Sequence, residues 1–154
     1  MDLREILTTT RIGQLAIKSV PILSPQDSVH FAAAQMRSHS HGSALVCDND
    51  RLVGVFTERD LLRWLADSRS LDDAIAEAMT ANPQTVTSGD ALMSAIGYLD
   101  QGGYRRIPVV NADGAPIGII DVKTIVHFFV EHFPSAIYNQ SPQSKQTTSD
   151  REGA

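Results

Sequence analysis

The chain has 154 residues, about one ordinary domain; 42% are apolar and 20% charged, which excludes wholesale disorder and permits a real core. Thirteen Lys and Arg against 18 Asp and Glu leave a net charge of -5. That balance argues against a broad nucleic-acid face but not against one small anion in a local basic pocket. The longest apolar stretch, 125–130, falls far short of the roughly 20 residues of a membrane span, and the charged start Asp2-Leu3-Arg4-Glu5 offers no secretory apolar region. Cys47 is the only cysteine, so neither an internal disulfide nor a cysteine-based zinc site is possible. The expected compartment is the cytoplasm.

In chain order, Arg4 to Ala16 reads as a lead-in helix, followed by a short strand from Val20 to Leu23. Ser24-Pro25-Gln26-Asp27 is expected to cap a helix that runs to about Ser38. Two strands, Ser43 to Cys47 and Arg51 to Phe56, flank the turn Asp48-Asn49-Asp50, and a helix from Glu58 to Asp67 follows. Leu71 to Met79 reads as a second lead-in helix. The pattern then recurs: strand Thr85 to Thr87, cap Thr87 to Asp90, helix to about Gln101, strands Arg106 to Val110 and Pro116 to Ile120, helix Val122 to His132. From Pro134 onward the Ser/Gln/Thr/Pro composition has little to bury and reads as a loose tail, or a tail that orders on a partner.

The recurrence is an internal repeat. At an offset of 63, Ile12 falls on Ile75, Leu23 on Val86 and Asp27 on Asp90. Val29, Ala32, Ala33 and Met36 fall on Leu92, Ala95, Ile96 and Leu99, an apolar stripe at helical spacing in both copies. One extra residue in the turn Asn111-Ala112-Asp113-Gly114 raises the offset to 64, and Gly54 then falls on Gly118 and Leu61 on Ile125. A period carried through two periodicities marks a duplicated supersecondary unit. Each unit is β-α-β-β-α, so the fold class is α/β (α+β), with the two units packed about a pseudo-twofold axis. The expected divisions are 1–69, 70–133 and a tail at 134–154.

Three segments carry a family resemblance. Gly54-Val55-Phe56-Thr57-Glu58-Arg59-Asp60-Leu61-Leu62-Arg63 fits a Gly-x-x-Thr-x-x-Asp-x-x-Arg pattern. Tyr104-Arg105-Arg106-Ile107-Pro108-Val109-Val110 and Asn111 to Ile120 fit the strand and turn that accompany it. On these residues the stretch from about 10 to 132 resembles a tandem pair of cystathionine-β-synthase (CBS) domains, a Bateman module. The resemblance implies a regulatory rather than catalytic protein that binds an adenosyl ligand such as AMP, ADP, ATP or S-adenosylmethionine between the repeats. It requires no cofactor or metal, and implies neither a nucleic-acid nor a membrane partner. The rival is a constitutive dimerisation module with vestigial sites.

Candidate ligand residues follow. Asp60 is suited to accept from a ribose cis-diol and Thr57 to donate to a phosphate; the competing reading is a capping box between the two. In the second repeat Asp121 replaces Thr57 and Thr124 replaces Asp60. Asp121 would repel a phosphate and Thr124 lacks the anion, so the first half-site reads as competent and the second as degenerate. Of Arg105 and Arg106 one is expected to face the cleft and contact phosphate, since adjacent strand residues point to opposite faces. Tyr104 is a candidate for stacking on a base. Trp64 and Phe128 are equivalent and, with Leu61, Leu62, Leu65 and Ile125, Val126, Phe129 assigned inward, are expected to face outward as a homodimer interface. His39 and His41 read as local turn residues. His127 and His132 are placed off a shared helical face. Ser43 near His41 lacks the other parts of a nucleophilic site, and Cys47 reads as inert.

Overall fold

The computed structural model describes residues 2–103 and 105–132. In chain order these form α1 (Leu3–Thr9), a 3-10 turn (Ile12–Gln14), β1 (Ile22–Leu23), α2 (Val29–Ser38), β2 (Ser43–Asp48), β3 (Arg51–Thr57) and α3 (Glu58–Ala66). A second 3-10 turn (Ile75–Glu77), β4 (Thr80–Ala81), β5 (Val86–Thr87), α4 (Leu92–Gln101), β6 (Arg106–Val110), β7 (Pro116–Asp121) and α5 (Val122–His132) complete them. The architecture is the expected mixed α/β pair of β-α-β-β-α units. Tyr104 and the tail from 134 lie outside the described residues.

Both lead-ins are shorter than their patterns suggest. Thr8 and Thr9 turn their hydroxyls back onto the carbonyls of Arg4 and Glu5, and α1 ends there. Residues 71–73 are committed elsewhere: the carbonyls of Leu71 and Asp73 accept from the amides of His30 and Val29 at the start of α2. The caps also differ. Asp27 and Asp90 accept from the amides of Ser24 and Thr87 and close turns, while the cap of α2 is Ser28, whose hydroxyl accepts from the Phe31 amide at 3.0 Å.

In each unit the first strand pairs parallel to the second, and the second antiparallel to the third. The lead-ins cross over. Ile12 and Leu15, with Leu7 and Ile17 against them, join Val86, Leu92, Ala95, Ile107, Val109 and Ile120 in the second unit's core. Ile75, Ala78 and Met79 join Val29, Met36, Phe56 and Trp64 in the first. A third cluster of Val20, Leu45 and Ile119 binds the two sheets together. After each crossing the chain lies against the third strand: β4 pairs with Gly54 and Val55, and Lys18 exchanges both backbone hydrogen bonds with Ile119 at 2.9 Å.

The helix faces are rotated from the expected ones. Trp64 and Phe128 are buried, at 5% and 6% exposure, whereas Leu62, Leu65, Val122, Val126 and Val130 are exposed. The cause lies one turn earlier. Asp60 and Thr124 are drawn inward by hydrogen bonds to the caps of their helices, and the residue four positions on shares their face. Trp64 is further held by its indole N–H, which donates to the Ser70 carbonyl at 2.8 Å, and by the Arg69 guanidinium 4.1 Å above its ring. Phe128 stacks on His132 with centroids 4.2 Å apart. Neither ring is available as an interface residue.

Gly54 and Gly118 lie where the crossing segments pass. A Cβ on Gly118 would run into the Lys18 carbonyl oxygen and stand 2.8 Å from Ile17 Cγ2. On Gly54 it would meet the Met79 thioether and lie 3.0 Å from the Thr80 carbonyl. Gly118→Ala is therefore expected to destabilise the fold by about 1–3 kcal/mol. Gly54→Ala should cost less, because a methionine side chain moves more easily than a backbone carbonyl. Urea unfolding of the two variants gives the comparison.

Candidate functional site

The two helix starts, at Thr57–Asp60 and Asp121–Thr124, sit at equivalent places and are wired differently. In the first, Thr57 caps α3 and Asp60 answers it. One Asp60 oxygen accepts from the Thr57 amide at 2.9 Å and hydroxyl at 3.1 Å, and the other from the Thr80 hydroxyl at 3.3 Å. Asp60 is 7% exposed. The contacts are those of a capping box extended to the crossing segment. Asp60→Asn is expected to lower the stability of the unliganded protein by about 1–2 kcal/mol in denaturant unfolding, since it weakens a buried charge-assisted set.

In the second, Asp121 caps through the Thr124 amide and accepts from its hydroxyl, both at 2.8 Å, and from Lys18 Nζ at 3.1 Å. Burial pushes the Asp121 carboxyl up, but the Thr124 hydrogen bonds and the Lys18 ammonium outweigh it and hold the carboxyl below the ordinary range. The phosphate-repelling charge expected of Asp121 is thus offset by a residue 103 positions away. A depressed native pKa stabilises the fold above the unfolded value, about 3.9, and the contribution is lost as pH falls through the native value. Asp121→Asn should therefore be less stable than the parent at pH 7, and the difference should close only in acid below about 3.9. Thermal unfolding across that range measures it.

The larger opening also belongs to the second pair. A cavity of about 590 Å³ runs between residues 14–18 and α5, lined by Leu15, Ile17 and Phe128 and by Lys18, Lys123 and Thr124. That volume suits a small ligand. At the first pair the corresponding segment packs Met79 on Gly54 and the core and sets Thr80 on Asp60. The sequence ranking of the two half-sites is not the order in which the cavity forms. His127 and His132 both line this cavity, contrary to their expected separation, because its wall spans more than one row of α5. Among the described residues no cluster of His, Cys, Asp and Glu has the arrangement of a metal site.

The arginines separate clearly. Arg105 is exposed, while Arg106 is half-buried on β6 opposite Asp121. The Arg106 guanidinium reaches across to the first unit, where Nη2 stands 3.1 Å from the place of a Cβ on Gly42. Ser43, beside it, is 1% exposed and its hydroxyl has no hydrogen-bond partner. Ser43 faces Thr57 across β2 and β3. Sequence reasoning missed Lys18, Gly42 and Glu58, the last of which also closes on Gly42. Elsewhere, His39 bonds the Gln35 carbonyl at 2.9 Å, a local turn contact. Burial first, then Asp50 and Asp48, push the Cys47 thiol up and so disfavour its reactive thiolate.

The CBS domain model matches the chain twice, over residues 12–67 and 75–131. The protein belongs to the CBS domain family and carries a tandem pair. Solved structures with the same fold include CBSX2 in complex with AMP, 26% identical, with a TM-score of 0.70 over 79% of this chain and 96% of that one. A CBS domain protein of Pyrobaculum aerophilum complexed with AMP superposes with a TM-score of 0.69 at 24% identity, over 74% of this chain and 88% of that one. By sequence, a 17.7 kDa protein of Acidianus ambivalens is 28% identical over 79% of this chain and 74% of its own length. An arabinose 5-phosphate isomerase, GutQ of Escherichia coli, is 33% identical over 68% of this chain, which spans only 33% of that enzyme. No helix among the described residues is long and apolar enough to cross a membrane.

Proposed function

We propose that the protein is a non-enzymatic regulatory module that binds an adenine nucleotide, AMP, ADP or ATP, between its repeats and presents the result to a partner protein. The carrying observation is the 590 Å³ cavity between the crossing segment and α5, whose lining combines apolar Leu15, Ile17 and Phe128 with polar Lys18, Lys123 and Thr124. The AMP held by a CBS pair 26% identical to this one supports the ligand class. In this reading the adenosine occupies the cavity, and the phosphate points past Lys18 and Asp121 to the junction where Arg106 stands. Thr57 and the start of α3 complete that junction, and Asp60 acts through its hold on Thr57.

An adenosine ligand at about a hundred times its dissociation constant should add about 2.7 kcal/mol of stability, a shift of roughly 5–10 °C in melting temperature. Calorimetry is expected to find one dominant site per chain. A panel of adenosine ligands that leaves the melting temperature unmoved would refute the proposal and favour a constitutive interaction module.

The module is also proposed to form a homodimer through α3 and α5, by their exposed aliphatic faces rather than their aromatic residues. Leu62 is 66% exposed and Leu65 48%, and Val122, Val126 and Val130 are each half-exposed. Rows of this kind on two helices favour burial against a second copy. Replacing Leu65 and Val126 with Glu should convert the dimer to monomer in sedimentation without loss of fold. A parent protein that sediments as a monomer at high concentration would overturn the assignment.

A further inference from the structure

Gly42 is the point where the two repeats bring opposite charges together. A Cβ there would stand 3.1 Å from Arg106 Nη2 and 3.1 Å from the carboxyl carbon of Glu58. A side chain at position 42 would have to push both aside. Glu58 is the first residue of α3, its amide donating to the Gly42 carbonyl at 3.1 Å, so the carboxylate is anchored at the junction by its own backbone. Arg106 comes from the other repeat and makes no ion pair within 4.0 Å among the described residues. Glu58 faces it across the Gly42 position, yet the two form no ion pair. The buried Ser43 hydroxyl, without a partner, lies next in the chain and marks the place as one with hydrogen-bonding capacity still unused.

We propose that Glu58 is a charge-selectivity residue: with Arg106 it keeps the junction near neutrality, so that the module accepts an adenosyl ligand of low anionic charge and disfavours a polyphosphate. This rests on the nucleotide-binding reading above. The physical argument is one of net charge. Arg106 alone would attract every added phosphate, and more strongly with each one. A carboxylate beside it opposes that gain, and ligands that place more negative charge at the junction lose most. The second repeat supports the assignment by contrast. The position equivalent to Glu58 is Val122, and the carboxylate of Asp121 is already paired with Lys18. Among the described residues Glu58 is the acidic group at the two helix starts that is exposed and closes no side-chain hydrogen bond, whereas Asp60 and Asp121 are tied to their caps.

The test is isothermal calorimetry of AMP and ATP, without added divalent cation, on the full chain and on Glu58→Gln. Glu58 is exposed and closes no side-chain hydrogen bond that the fold needs, so the variant should fold and melt near the parent. The parent is expected to bind AMP at least tenfold more tightly than ATP. In the variant ATP should gain about tenfold or more, which one unit charge within about 10 Å supplies at an effective dielectric near 20, while AMP, with fewer charges at the junction, should gain clearly less. The ATP gain should shrink as salt is raised from about 0.05 to 0.5 M, which a purely structural effect would not do. Glu58→Asp should keep the parent's preference. Equal affinity for the two nucleotides in the parent, or an equal change for both in Glu58→Gln, would overturn the inference while leaving nucleotide binding intact. Absence of binding by any adenosine ligand to either protein would overturn the nucleotide reading itself, and the inference with it.

Discussion

The constraint on which the rest depends is the flush passage of each lead-in across the third strand of the opposite unit. The Lys18 carbonyl lies against the Gly118 Cα, and the Thr80 carbonyl lies over Gly54. Where the chains come this close, the backbone of one unit finishes the sheet of the other, and the side chains on either side fall into fixed places. Ile12 and Leu15 then reach the second core, Ile75 and Met79 the first. Lys18 is delivered to Asp121 and Thr80 to Asp60, so the glycines that look like motif decoration determine which groups meet at the two helix starts.

The two helix starts share one backbone design and divide its chemistry. In the first, a carboxylate at the third helical position serves the cap and a neighbouring hydroxyl, and a methionine of the crossing segment packs nearby. In the second, the carboxylate moves to the cap itself, a lysine balances it, and the space stays open. The different wiring of the two helix starts gives an asymmetric module from a nearly symmetric sequence. A symmetric pair would offer two equal sites.

Much of this was legible in the chain. The offset of 63, rising to 64 at the Asn111–Gly114 turn, gives the repeated strand and helix order, both hairpins and the cap residues Thr57 and Asp121, because these depend on local periodicity and turn chemistry. Trp64 and Phe128 were misplaced by one helical position. The apolar count favours Leu61, Leu62 and Leu65 as an inward stripe, but the pull of a buried polar cap at Asp60 rotates the helix, and hydropathy carries no sign of it. The crossing of the lead-ins and the Lys18–Asp121 pair were not legible at all. They join residues far apart in sequence through a packing decision made by the whole fold. Arg106 could be told from Arg105 only once β6 had a register against β7.

The crossed lead-ins also bear on descent. Each core is completed by a segment that belongs, by repeat, to the other unit, and this is the geometry of a domain swap closed within one chain. One repeat expressed alone would leave its own core short of the turn and apolar residues that its sister supplies, and would find them most readily in a second copy of itself. The tandem gene then needs no new contact to arise from such an ancestor. Joining two copies end to end keeps every interaction and removes only the concentration dependence. The link also frees the halves to differ, as the substitutions at 57, 60, 121 and 124 show they have done.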